Sequence, residues 1–148
     1  MTKPRVAVIG TGGTIASIGK GPLDLLDYGA NETMLHVDEI IARFPEVHEV
    51  ADILPVRFEA IPCPNVFFPE WKALVLQIET LAQEHQDLAG IVVTHGTASL
   101  EETAYFLNLT LHVDVPVVVV GSQRPASALS TDAGMNLVNA VQIGRAHV

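Results

Sequence analysis

The sequence predicts an α/β domain, a mostly parallel sheet with flanking helices, and three observations predict it. Short β-branched runs alternate with stretches of helical spacing, the pattern of βαβ units. The first such run, Val6, Ala7, Val8 and Ile9, breaks directly into Gly10, Thr11, Gly12, Gly13 and Thr14, a strand feeding a glycine turn that delivers a hydroxyl. Hydrophobic residues make up 49% of the 148-residue chain and charged residues 17%, enough apolar side chain for a single packed core and too little charge for disorder.

The elements follow in order. Residues 6–9 form the first strand. Residues 17–31 carry Gly19, Gly21, Pro22 and Gly29, too polar and glycine-rich for a regular element, and a connection of that length suits a lid. Asp38 is expected to cap a short helix ending at Phe44, and residues 50–58 alternate as a second strand. Pro62, Cys63, Pro64 and Asn65 make a stiff turn before a helix that begins near Pro69, repeats Trp71, Leu74, Val75, Ile78, Leu81 and Ala82, and closes at His85. Residues 90–94 read as a buried strand. Ser99 and Glu102 have the spacing of a capping box, so a helix starts immediately after His95, Gly96, Thr97 and Ala98. Val117–Val120 is the last strand, and Asp132 opens a helix containing Met135, Leu137, Val138 and Val141.

Composition narrows the function. A net charge of −9 repels phosphate backbones and anionic membranes, so neither nucleic acid nor a membrane is an expected partner. The longest apolar run, residues 115–120, contains Pro116 and falls far short of the roughly 20 residues of a bilayer span. The single cysteine, Cys63, excludes an internal disulfide framework, and with no leader pattern at the start the chain is expected to be cytoplasmic. His36, His48, His85 and His112 are scattered without a carboxylate-flanked pair, so no metal is expected.

The glycine turn can be read as a dinucleotide-binding fingerprint or as a nucleophile turn. A G-x-G-x-x-G register starting at Gly10 puts its third glycine at position 15, which is Ile15, and the dinucleotide reading fails there. A second strand end resembles the first, with Thr94, His95 and Gly96 leading to Thr97. A third turn, Gly121, Ser122, Gln123, Arg124 and Pro125, follows the last strand. Ligands bind at the carboxyl edge of open parallel sheets, so all three turns belong to one candidate crevice. The amides at the Ser99 helix start suit a carboxylate, which points to a small acidic or amide substrate. Arg124 is expected to pair with a carboxylate, Glu101 and Glu102 to serve helix-start electrostatics, and His95 to be a buried histidine bonded to backbone near the strand end.

Three segments carry a resemblance. Residues 11–16 (Thr-Gly-Gly-Thr-Ile-Ala), residues 95–97 (His-Gly-Thr) followed by residues 100–107, and residues 122–126 (Ser-Gln-Arg-Pro-Ala) together resemble the bacterial-type L-asparaginases, over nearly the whole chain as that family's amino-terminal domain. The resemblance implies hydrolysis of L-asparagine to aspartate and ammonia without a cofactor, with Thr14 as the nucleophile that forms an acyl-enzyme ester. It implies that Tyr28 is the lid tyrosine assisting proton transfer, and that Thr97 is the second active-site threonine. Two positions depart from the family pattern: Ala98 stands where an aspartate grips the substrate ammonium, and Cys63 where a serine binds its carboxylate. Ser122 is a further candidate in the substrate site. The family also implies a homo-oligomer, a smaller carboxyl-terminal domain and a lysine lying beyond position 148. Residues 143–148 read like a translated sequencing adapter, so residues 1–142 are expected to be native and the remainder a non-native tail. Rival readings are an amidase acting on glutamine, a peptide or a tRNA-linked amide, and a non-catalytic small-molecule-binding module.

Overall fold

The computed structural model describes residues 2–31, 33–61 and 65–146. Among these residues four strands, β1 (Arg5–Gly10), β2 (Asp52–Arg57), β3 (Leu88–Thr94) and β4 (Val117–Val120), form one sheet in the order β2-β1-β3-β4. Every neighbouring pair is parallel, with Ala7 opposite Leu54 and Ile91 and with Val92 opposite Val118. Among the described residues five α-helices accompany them: α1 (Val37–Arg43), α2 (Val47–Val50), α3 (Phe68–Glu84), α4 (Leu100–Thr110) and α5 (Ala133–Gly144). The expected α/β class and parallel sheet are what the chain adopts.

Strand periodicity sorts the core into two layers. Val6 and Val8 of β1, with Val92 of β3, face α1, α2 and α5 through Val37, Ile40, Val47, Leu137 and Val141. Ala7 and Ile9, with Ile91 and Val93, point the other way onto Leu74, Ile78 and Leu81 of α3 and Leu107 of α4. Because β1 and β3 are covered on both faces, they read as continuous apolar runs. Burial of each large aliphatic side chain contributes about 1.5–3 kcal/mol, so two such layers hold the strand ends in a fixed relation.

Several local expectations are corrected. The residue at the α1 amino terminus is His36, whose extended φ of −71° and ψ of 161° break the helix. Its backbone N–H donates to Glu39 Oε2 at 2.7 Å, while Asp38 lies inside the first turn and takes both Arg57 contacts, at 2.8 and 2.7 Å. That paired guanidinium holds the Asp38 carboxyl below its ordinary value. The second strand is shorter than residues 50–58, because α2 uses Val50 and the strand begins at Asp52. Pro55 is tolerated there because β2 is an edge strand. Conversely β3 starts two residues earlier than expected, at Leu88.

Ser99 occupies the α4 start as expected, but its side chain makes no capping bond to the helix; its carbonyl accepts from the Thr103 N–H at 3.1 Å. The reciprocal glutamate contact appears instead at α1, between His36 and Glu39, and at α3, where Phe67 N–H donates to Glu70 Oε2 at 2.9 Å. Pro69 sits in the first turn of that helix, as its missing N–H allows. α5 continues through Ile143 to Gly144, into the segment set apart in the sequence reading. Gly144 lies so close to Gly90 of β3 that a Cβ on Gly90 would stand 2.3 Å from the Gly144 carbonyl oxygen.

Candidate active site

The strand order defines where a site belongs. The chain leaves β1 toward β2 on one side and returns to β3 on the other, so the topological switch point lies between the carboxyl ends of β1 and β3. Those two ends lead to Thr14 and Thr97.

Backbone bonds bring the ends level. Thr11 N–H donates to the Thr94 carbonyl at 3.1 Å and the Thr11 hydroxyl to the same oxygen at 2.8 Å, while Ile61 N–H donates to the Thr11 carbonyl at 2.9 Å. Gly12 and Gly13 then take φ of 95° and 81°, a region that a side chain disfavours. A Cβ on Gly13 would stand 2.3 Å from the Gly96 Cα, so the turn after β1 rests directly on the turn after β3. Residues Thr14–Ala16 follow as one turn of 3-10 helix with Ile15 and Ala16 buried, which fixes the backbone under Thr14.

Thr14 is half-buried, and its Oγ1 lies 3.1 Å from the Tyr28 phenol oxygen, either atom able to donate. The segment carrying Tyr28 holds little regular structure beyond the single 3-10 turn Tyr28–Asn31. Its stems are nonetheless tied: Leu35 N–H donates to the Ala16 carbonyl at 2.8 Å, and Ile18 N–H to the Thr33 carbonyl at 3.0 Å. Asp24 gathers the tip, accepting from Lys20 N–H at 2.9 Å and Asp27 N–H at 3.0 Å. Three further bonds join this segment to the turn after β4, from Ala126 N–H to Ser17, from Leu129 N–H to Pro22, and from Gly19 N–H to the Ser127 hydroxyl.

That third turn is held from below by Asp132, which precedes α5. Its carboxylate accepts from Gln123 N–H and Arg124 N–H at 3.0 Å each and from Asn136 Nδ2 at 2.8 Å. Partial burial raises the Asp132 carboxyl, but the donors outweigh it and the net displacement is downward. Arg124 departs from expectation: its guanidinium donates to the Ser130 carbonyl at 2.9 Å, and Asp132 meets its backbone N–H. Ser122 is buried, its hydroxyl donating to the Arg124 carbonyl at 2.7 Å, so it shapes the turn. Gly121 is forced by proximity, since a Cβ would stand 2.8 Å from the His95 carbonyl and 3.0 Å from Thr97 Cγ2.

Of the predicted site residues, Thr14 and Tyr28 are in contact, and the Thr97 turn packs against both glycine turns. Ala98 is exposed and offers no charge. Cys63 lies outside the described residues. His95 is fully buried, with Nδ1 2.7 Å from its neighbour's carbonyl at Gly96 and Nε2 2.9 Å from Thr103 Oγ1, a backbone-bonded histidine as expected. Burial pushes its pKa down. The Thr103 partner and the Asp132 clamp were not anticipated: their sequence neighbourhoods offer helix signals only, and their partners come from other elements. Among the described residues, no group of three or more histidine, cysteine, aspartate or glutamate side chains is placed to hold a metal. A wide concavity of about 790 Å³ opens at the opposite end of the strands, where Arg5 pairs with Asp87 at 3.1 Å; it is remote from both threonines.

The family described as asparaginase, N-terminal, matches residues 5–147. This chain belongs to it. A glutaminase-asparaginase of Acinetobacter glutaminasificans is 38% identical over 141 residues, which span 95% of this chain and 42% of that protein. The L-asparaginase 2 of Bacillus subtilis is 39% identical over 143 residues, 97% of this chain and 37% of its own length. The crystal structure of a probable cytoplasmic L-asparaginase from Campylobacter jejuni superposes with a TM-score of 0.86 at 38% identity, covering 97% of this chain and 42% of that one. The chain thus spans about two-fifths of the length of these relatives.

Two outcomes follow from this geometry. Gly13→Ala is expected to destabilise the protein by more than about 2 kcal/mol in urea unfolding, because the residue adds both a disfavoured φ and a backbone collision; a change within about 0.5 kcal/mol contradicts the contact. Asp132 has a folded pKa below its unfolded one, so its stabilisation is present above the unfolded value near 3.8 and disappears as pH falls through the folded one. The stability gap between wild type and Asp132→Asn is therefore largest at neutral pH and narrows below about pH 4; a gap that widens in acid contradicts the clamp.

Proposed function

We propose that the protein carrying this domain is an asparaginase-type amidohydrolase that converts L-asparagine to L-aspartate and ammonia through an ester on Thr14. The observation that carries this reading is the 3.1 Å contact between the Thr14 hydroxyl and the Tyr28 phenol at the switch point of the sheet. A threonine hydroxyl is a weak nucleophile until its proton is removed, and a hydrogen-bonded phenol on the substrate side gives that proton a path. Thr14 Oγ1 bonds to the side-chain amide carbon, the carbon–nitrogen bond breaks, and the amide nitrogen leaves as ammonia with the threonine proton. Water then cleaves the ester and returns a proton to Thr14. Thr97, on the turn stacked against Gly13, orients the reacting groups, and backbone amides of the glycine turn stabilise the oxyanion. Tyr28 closes the site against water. Ser122 supports the wall, and Cys63 is the residue this sequence has where the family pattern has a carboxylate-binding serine. No cofactor enters this scheme.

Ala98 favours a second reading. A methyl group cannot pair with a substrate ammonium, so discrimination in favour of a free amino acid is weaker here, and glutamine or another amide, a tRNA-linked one included, becomes an acceptable substrate. The name glutaminase-asparaginase attached to several relatives is consistent with such breadth. We further propose a homo-oligomer in the cytoplasm. Relatives carry both cytoplasmic and periplasmic names, and among the described residues no helix is long and apolar enough to cross a membrane.

In the intact protein, Thr14→Ala is expected to lower ammonia release by at least about 10³-fold against a panel of asparagine, glutamine and peptide amides, with binding and unfolding midpoint retained. Turnover at the wild-type rate removes Thr14 from the role. Binding without ammonia release by the wild type identifies a non-catalytic module.

A further inference from the structure

We infer that Trp71, Thr103 and His95 form a hydrogen-bond chain of fixed direction that positions the Gly96–Thr97 turn beneath the reacting hydroxyl. The two ends decide the direction. An indole nitrogen can only donate and a carbonyl oxygen can only accept. Trp71 Nε1 donates to Thr103 Oγ1 at 2.8 Å, and the Gly96 carbonyl, 2.7 Å from His95 Nδ1, requires a proton on that nitrogen. The neutral ring is then bare at Nε2 and takes the Thr103 hydroxyl hydrogen across 2.9 Å. Each group donates once to the next, and the opposite tautomer would set a lone pair against the carbonyl.

The chain spans three elements. Trp71 belongs to α3, where its ring stacks on Phe106 at 5.2 Å and 22°, with Phe68 meeting Phe106 edge-on at 6.0 Å. Thr103 belongs to α4 and is fully buried, as is His95 at the end of β3. Gly96, the acceptor at the far end, is the residue on which Gly13 rests. A shift of that carbonyl is therefore passed to Gly13 and so to Thr14, and a displacement of about 1 Å is enough to slow a positioned reaction by up to about 100-fold. His95 is in this account a positioning residue, fixed as a neutral Nδ1–H ring.

The inference rests on the proposed reaction, so its test has an arm that needs no turnover. In the intact protein, Thr103→Val keeps the shape and removes the hydroxyl, whereas Thr103→Ser restores it. Imidazole nitrogen NMR is expected to show the His95 proton on Nδ1 in wild type and in Thr103→Ser. The kcat of Thr103→Val is expected to fall about tenfold with KM within about twofold, and Thr103→Ser to stay within about threefold of wild type. Should Thr103→Val fail to fold, Trp71→Phe removes the donor while preserving an aromatic ring on Phe106, and a fall in kcat of about threefold is expected. If the wild type releases no ammonia from any amide, the proposed reaction fails but the chain remains testable. Gly96 and Thr97 amide resonances that move in Thr103→Val and return in Thr103→Ser support it, and unmoved ones overturn it. A wild-type ring carrying its proton on Nε2, or an undiminished kcat in a folded Thr103→Val, overturns it outright.

Discussion

The site depends on one close approach, Gly13 resting on Gly96. With a Cβ only 2.3 Å from the neighbouring Cα, no other residue fits at position 13, and the positive φ of 81° gives a second reason for glycine there. What this contact achieves is registration. Two turns that follow different strands, 83 positions apart between Thr11 and Thr94, meet at a separation set by backbone atoms, through the Thr11 N–H to Thr94 carbonyl bond and the approach of Gly13 to Gly96. Thr14 inherits that precision, being the next residue and the start of a buried 3-10 turn.

The sheet makes the contact possible. β1 and β3 are the inner strands, buried on both faces by helices, so the turns that follow them start from the most protected part of the layer. The segment before α1 is far more exposed. Its tip carries Leu23 and Leu26, which are 81% and 90% exposed, while its stems are bonded to residues 33–35 and to the turn after β4. Asp132 and Asp24 act alike, each folding a polar turn by collecting backbone N–H groups onto one carboxylate.

Much of this was legible in the sequence. Apolar β-branched runs marked β1 and β3, which are buried on both faces and carry no polar alternation, whereas β2, an edge strand, was marked by its alternation. Glycine clusters after two of them marked the site edge, and the fully buried, backbone-bonded state of His95 followed from its place at a strand end. Boundaries were less legible. Val50 fits a strand or a helix equally well, and only α2 packing decides it; Ser99 and Glu102 had the right spacing, yet the glutamate contacts form at His36 and Glu39 and at Phe67 and Glu70. Long-range partners were not legible at all. Trp71 and Thr103 are 32 positions apart, and nothing local distinguishes an indole that packs from one that also donates. Tyr28 was reached through family resemblance alone, since an aromatic on a glycine-rich segment carries no chemical signal of its own.

The central claim is that Thr14 becomes esterified during turnover, and trapping that ester tests it most directly. The intact protein, mixed with amide substrate and quenched rapidly in acid, is digested and its peptides are weighed. The account predicts an acyl mass increment on the peptide containing Thr14, absent when substrate is omitted. An increment found on the peptide containing Thr97, or turnover with no increment on any peptide under conditions that slow deacylation, contradicts it.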